Sequence, residues 1–179
     1  MEKVTIIIFT IIAVAGILGI IYVAIYNRLQ KYVIRIKEAE NEIDETIRKR
    51  HDLLLSMESI INTNTDLNQD NFKDFESDKM SNFDADRKLS KIKETFRMIG
   101  SDYPDKLDNE AFRNLLTEIK ITEEKSDAAK AYYNKYTTSL NMLIKKFPSN
   151  IVASICHIEE RFYFDNKNMN DKDILDFKL

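Results

Sequence analysis

His51, Cys156 and His157 are the residues best suited to hold a metal or attack a substrate, and their spacing argues against both. A di-metal carboxylate site between helices needs Glu-x-x-His on two of them. His51 is preceded at that spacing by Arg48, and His157 by Ser154. Cys156 and His157 are adjacent, so on a helix their side chains diverge by about 100°, a poor geometry for a nucleophile and its base. Cys156 reads as a small packed residue. Phosphate-cradling Gly-x-x-x-x-Gly-Lys, dinucleotide Gly-x-Gly-x-x-Gly and zinc-protease His-Glu-x-x-His are all missing. The expectation is a protein that is not an enzyme, with no catalytic residue, no cofactor and no metal.

One stretch does pose a chemical question. "RKRHD", residues 48–52, interrupts an apolar stripe that arrives at Ile36, Ile43 and Ile47 and resumes at Leu53, Leu54 and Met57. Five polar residues at about 100° each pass more than a full turn, so at least one points inward. A buried unpaired charge is costly, so an inward Arg50 needs an acidic partner. If the first and third soluble helices run parallel, counting from their starts gives Glu123, Glu124 and Asp127 as candidates. His51 is the alternative inward residue, with Arg50 at the rim. The expected role of the pair is to set register inside an apolar seam.

The elements that must hold this charge are helices. The chain has 179 residues, 44% hydrophobic and 32% charged, with 3 Gly and 2 Pro. Strand-rich folds need turn residues at every corner, and here Gly100, Pro104 and Pro148 are the strong breakers after the N-terminal run. The fold class is all-α. A single cysteine excludes an internal disulfide, and a net charge of −3 does not suit nucleic acid.

From Val4 to Asn27, 24 residues carry no charge. At about 1.5 Å per residue they span roughly 36 Å of helix, enough to cross a hydrocarbon core of about 30 Å. Tyr22 and Tyr26 suit the downstream interface. The small-x-small triplet at Ala13–Ala15 resembles a signal cleavage site, but the apolar run continues well beyond it. Residues 1–27 are therefore read as an N-terminal transmembrane anchor. Arg28, Lys31, Arg35 and Lys37 outweigh Lys3, which places the large C-terminal part in the cytoplasm and the short N-terminus outside. Ala15 and Gly19, four residues apart, are candidates for a helix contact within the membrane.

A seam of alternating threes and fours follows: Leu29, Tyr32, Ile36, Ala39, Ile43, Thr46, Arg50, Leu53, Met57 and Ile60. It dissolves at "NTNTDLNQDN", residues 62–71. A second helix is predicted from about Asn71 to Ile99 with Gly100 as its left-handed stop. The third is predicted from Asp108, as its N-cap, to Phe147, burying Phe112, Leu115, Ile119, Ala129, Tyr133, Tyr136, Leu140, Leu143 and Phe147. Ser149 is expected to cap a short fourth helix that buries Ile151, Ile155, Ile158 and Phe162. Short connections imply an antiparallel up-down bundle of three long helices plus one short helix over residues 28–164, with 165–179 a polar tail.

With these elements in place, several stretches resemble the LemA family. They are "YNRL" at 26–29, Ala39, "EID" at 42–44, "KRHDLL" at 49–54, "YP" at 103–104, Phe112, Leu115, Glu123, "YN" at 133–134, "FP" at 147–148 and "RFYF" at 161–164. The resemblance implies a bacterial membrane protein with one N-terminal helix and an α-helical bundle behind it, in an accessory role without catalytic residues. It also marks Arg50, Asp52, Tyr133 and Asn134 as candidates for internal polar contacts. Departures occur at Leu55–Ser56, where the family carries Pro-Asn and a kink, at Leu140–Asn141 in place of a second Tyr-Asn, and at Ile158 in place of an aromatic.

The functional expectation is a membrane-anchored, non-enzymatic scaffold or adaptor of the bacterial cell envelope, in the inner membrane. The alternatives are a signal-transducing rod, since one helix crosses the membrane, and a small-ligand-binding bundle with its foothold at Arg50, Asp52 and Glu123. Expected partners are the lipid bilayer and a membrane or envelope protein, with homo-oligomerisation as a further option.

Overall fold

A computed structural model describes residues 2–73, 75, 80–107 and 109–164. The regular elements among them are all helical: α1 Glu2–Asn64, α2 Asn82–Asp102, α3 Pro104–Leu107, α4 Glu110–Lys145 and α5 Ser149–Ile155. The expected N-cap Asp108 and the expected polar tail lie outside the described residues. Two compact units are present, one of residues 2–37 with 134–163, the other of 38–133 with Phe164.

In the second unit, one core collects Ile43, Ile47, Leu54, Met57 and Ile61 of α1 with Leu89, Ile92 and Phe96 of α2, Leu107 of α3, and Phe112, Ile119 and Ala129 of α4. Burying a ring such as Phe96 contributes about 2–3 kcal/mol. Leu54 and Ile61 are fully buried where the heptad pattern placed Leu53 and Ile60, which are only partly so. The reason is geometric. A strict seven-residue repeat drifts around an α-helix of 3.6 residues per turn, whereas Ile43 and Ile61 are separated by five such turns.

α1 runs uninterrupted through Leu55–Ser56 and continues to Asn64. Beyond it the chain folds back instead of starting a helix at Asn71. Asn62 exchanges two hydrogen bonds with the backbone of Gln69, at 2.9 and 2.7 Å. Glu58 accepts from the backbone N–H of Asn71 at 2.7 Å. The rings of Phe72 and Phe75 then reach His51, with centroids 5.0 and 4.8 Å away. The chain thus returns along α1 to the level of His51 before the next helix begins. α2 begins only at Asn82, where the Ser81 hydroxyl accepts from the Asp84 N–H at 3.1 Å.

That return reverses the expected topology. α2 starts level with Arg50, which it meets through Asp86, and its exit into α3 brings Lys106 to Asp66 at 3.1 Å, so α2 runs parallel to α1. α4 runs against α1, since Glu42 pairs with Lys125 and Lys49 with Glu118. The first and third long helices are therefore antiparallel within this unit, not parallel. α2 also passes through Gly100 to Asp102, and no glycine has a positive φ. Gly100 is small because Phe112 lies against it: a Cβ there would meet the ring at 3.0 and 3.2 Å. α3 starts with Pro104, suited to a first helical position. At α4, Asn109 supplies the cap by accepting from the Phe112 N–H at 2.9 Å.

In the other unit, residues 2–24 of α1 are exposed throughout. Leu29, Ile36, Leu140, Val152, Ala153 and Tyr163 are buried. Tyr32 meets Tyr136 at 6.1 Å between ring centroids, and the Tyr22 hydroxyl lies 3.3 Å from Cys156 Sγ. Numbers rise along α4 and α5 as they fall along α1. α5 buries Ser149, Val152 and Ala153, while Ile151, Ile155 and Phe162 are exposed, the reverse of the expected face. Phe147 is also exposed. Ser149 is turned inward and makes no cap; the N-cap position belongs to Pro148.

Candidate functional site

Arg50 is 2% exposed and among the largest fully buried side chains described. α1 delivers it to the core because it falls between Ile47 and Leu54, one turn from each. Its Nη1 donates to Asp86 Oδ1 at 2.5 Å, and its Nη2 to Ser90 Oγ at 3.1 Å and to Glu123 Oε1 at 3.2 Å. Lys130 Nζ donates to the other Asp86 oxygen at 2.8 Å, and Lys93 Nζ to Glu123 Oε2 at 2.9 Å. Three cations thus face two carboxylates across α1, α2 and α4. Ser90 also donates to its own helix, at the Asp86 carbonyl, 2.9 Å away. Arg50 Nε has no hydrogen-bond partner among the described residues. A buried donor left so costs stability, which the four ion pairs of the network and the Arg50–Ser90 bond offset.

The structure brings together Arg50 and Glu123 of the sequence-predicted residues, and it separates the others. Asp52 is 80% exposed and contacts its neighbour, with the His51 ring nitrogen 3.1 Å from its carboxylate. Two residues apart on a helix, Arg50 and Asp52 point to different sides, so they share no contact. His51 stands at the rim against Phe72 and Phe75, which settles the inward residue as Arg50. Glu124 is exposed. Asp127 is exposed too and pairs with Lys130 at 3.3 Å, not with Arg50. Tyr133 packs on the core of the second unit. Asn134 belongs to the other unit, where its carbonyl accepts from Thr138 at 2.9 Å. Among the described residues, nothing beyond the adjoining helix backbone lies within 4 Å of where a Cβ on Gly16 or Gly19 would be. Ala15 is exposed beside them.

Asp86, Ser90, Lys93 and Lys130 are the members sequence reasoning missed. A signal was there: 86, 90 and 93 form an i, i+4, i+7 row beside the stripe of Leu89, Ile92 and Phe96. The early part of that helix looked irregular because residues before Asn82 were counted within it. Asn141 was noted only as a departure from the family pattern. It is buried and clasps the Arg161 backbone, donating to the carbonyl at 2.8 Å and accepting from the N–H at 3.0 Å.

Among the described residues no group of three or more His, Cys, Asp or Glu is placed to hold a metal ion. The carboxylates of the network are each occupied by cations from two different elements. That arrangement is suited to holding three helices in register; a proton-transfer role would need a carboxylate open to a substrate.

The model of the LemA family matches residues 39–176 of this chain. The chain belongs to the LemA family. Protein LemA of Metamycoplasma hominis is 28% identical over 171 residues, which cover 85% of this chain and 74% of that protein. The region matched by the LemA family model contains every residue of the Arg50 network, together with Asn141 and α5.

Proposed function

We propose that this LemA family member is a single-pass, membrane-anchored helical scaffold or adaptor in the bacterial inner membrane and that it is not an enzyme. The observation that carries the reading is α1. Residues 4–24, uncharged and exposed, and the residues that build the core of the second unit are one unbroken helix. A helix so apolar and so exposed is stabilised by lipid around it. The basic residues Arg28, Lys31, Arg35 and Lys37 favour a cytoplasmic location for all that follows. There α1, α2 and α4 make a helical bundle locked by Arg50, whose outer faces are available to a membrane or envelope protein or to a second copy.

Photoreactive residues on the exposed faces of α2 and α4, followed by capture from cells and mass spectrometry, test the adaptor role. A distinct partner lost on mutation of the contact face is the expected result. Absence of any protein crosslink would overturn it. For topology, a single cysteine at Asn170 in a Cys156→Ser background should resist impermeant maleimide in intact cells.

The continuity of α1 also favours a second reading, a rod that transmits displacement from the membrane to the Arg50 network. Substitutions at Leu29 and Tyr32 that change a downstream output while partner capture is unchanged would distinguish it.

A further inference from the structure

α5 is packed with its smaller side chains inward and its larger ones outward. Val152 and Ala153 are buried, while Ile151 and Ile155 are 51% and 60% exposed and Phe147, just before the helix, is 73% exposed. Ile151 and Ile155 are four apart and so share one helix face. Phe147 lies outside the helix, in the turn that leads into it, and its ring is exposed as well. An apolar face of this kind on a short surface helix needs an occupant.

The contacts of the same unit say where the face lies. Tyr22 touches Cys156, the C-cap of α5. Tyr22 is six residues before Arg28, the first charge after the apolar run, and so roughly 9 Å toward the membrane along the helix axis. The headgroup layer on each side of a hydrocarbon core is about 5–8 Å thick. The Tyr32–Tyr136 contact gives the same direction, because α4 descends from there toward the membrane end of α1. Lys145, which pairs with Glu160 at 3.1 Å, and the exposed Lys146 immediately precede Phe147; the Lys146 ammonium can reach lipid phosphates while its stem lies along the apolar layer.

We propose that α5 and the Phe147 turn are an interfacial membrane element, with Phe147, Ile151 and Ile155 inserted at the boundary between headgroups and acyl chains. This rests on the reading of α1 as a membrane span. α5 then gives the protein a second hold on the bilayer beside the span, in the manner of an amphipathic helix lying in the interface plane. The contact fixes how α1 is rotated and tilted where it leaves the membrane, because α5 is tied to it at Tyr22.

The chain contains no tryptophan, which makes the test direct. Single-tryptophan proteins, Ile151→Trp, Ile155→Trp, Ile12→Trp and Ile121→Trp, are reconstituted as full chains into phosphatidylcholine–phosphatidylglycerol vesicles. One set of vesicles carries bromine high on the acyl chains, the other deep. The expected result is that Ile151→Trp and Ile155→Trp lose most of their emission to shallow bromine. Ile12→Trp is quenched by deep bromine, and Ile121→Trp on α4 by neither. If Ile12→Trp is quenched and both α5 positions are not, the interfacial contact is overturned while the anchor stands. A blue-shifted but unquenched α5 signal also overturns it, showing a protein occupant such as a second copy. Failure of Ile12→Trp to quench would sink the anchor itself, and this inference with it.

Discussion

Arg50 of α1 and Asp86 of α2 form the central bond of the second unit, with Lys130 of α4 on the far oxygen of the same carboxylate. Their roles are unequal. Asp86 is the sole described carboxylate that both Arg50 and Lys130 reach, whereas each acid keeps a lysine if Arg50 is removed.

Asp86→Ala should therefore destabilise the protein by about 3 kcal/mol, since it leaves the buried guanidinium short of its best acceptor. Arg50→Met fills a similar volume without charge and should cost about 1 kcal/mol or less. Urea unfolding of the detergent-solubilised full chain, followed by circular dichroism, measures both. Equal losses would contradict the asymmetry.

Gly100→Ala sets helix propensity against packing. A methyl gains about 1 kcal/mol in a helix interior. Here it meets Phe112, itself buried, at 3.0 Å. Overpacking of that kind costs about 1–3 kcal/mol, so net destabilisation is expected. Adding Gly100→Ala to a Phe112→Leu protein should instead be neutral or stabilising, as read by thermal unfolding.

His157 has φ of 52° and follows the C-cap of α5. Its N–H donates to Ser154 and that of Ile158 to Ala153, the hydrogen-bond pattern that closes a helix through a left-handed residue. Histidine pays the Cβ penalty in that conformation where glycine does not. His157→Gly should raise stability by about 1 kcal/mol, and a loss would mean the side chain contributes elsewhere.

Arg97, hydrogen-bonded to Glu94 at 2.7 Å, holds that carboxyl below the usual glutamate range. A folded value below the unfolded one adds stability at pH above the unfolded pKa, and this is lost as pH falls through the folded value. Both side chains are half exposed, so the stability effect is small. Carbon-detected NMR titration should place Glu94 below an ordinary glutamate, and Arg97→Gln should move it upward.

Asp86 shows why the site was only half legible. Periodicity in α1 places Arg50 in the apolar seam with His51 as the alternative, and counting along the helices reaches Glu123 beside Glu124 and Asp127, yet the count assumed α1 and the third long helix to be parallel. Glu123 is met in the opposite sense, because α4 descends where it was expected to rise. The long reach of Arg50 and the density of acids at 118–127 make the count forgiving. Asp86 could not be reached this way, since its level depends on how far the chain has come back along α1 when α2 begins. That is decided by Glu58 and Asn62 capturing the returning backbone, contacts between residues whose types look like ordinary turn formers.

Sequence alone determined the all-α class, the uncharged helix at the N-terminus, the turning inward of a residue within 48–52 and the family. Those properties are local or periodic: breakers, an apolar run, a stripe at 3.6 spacing and short motifs in order. Only the tertiary structure decided that α2 runs with α1, that Asp86 and Lys130 complete the network, and that α5 turns its isoleucines outward. Each of these depends on which partner a face meets, and a hydrophobic pattern names the face without naming the partner.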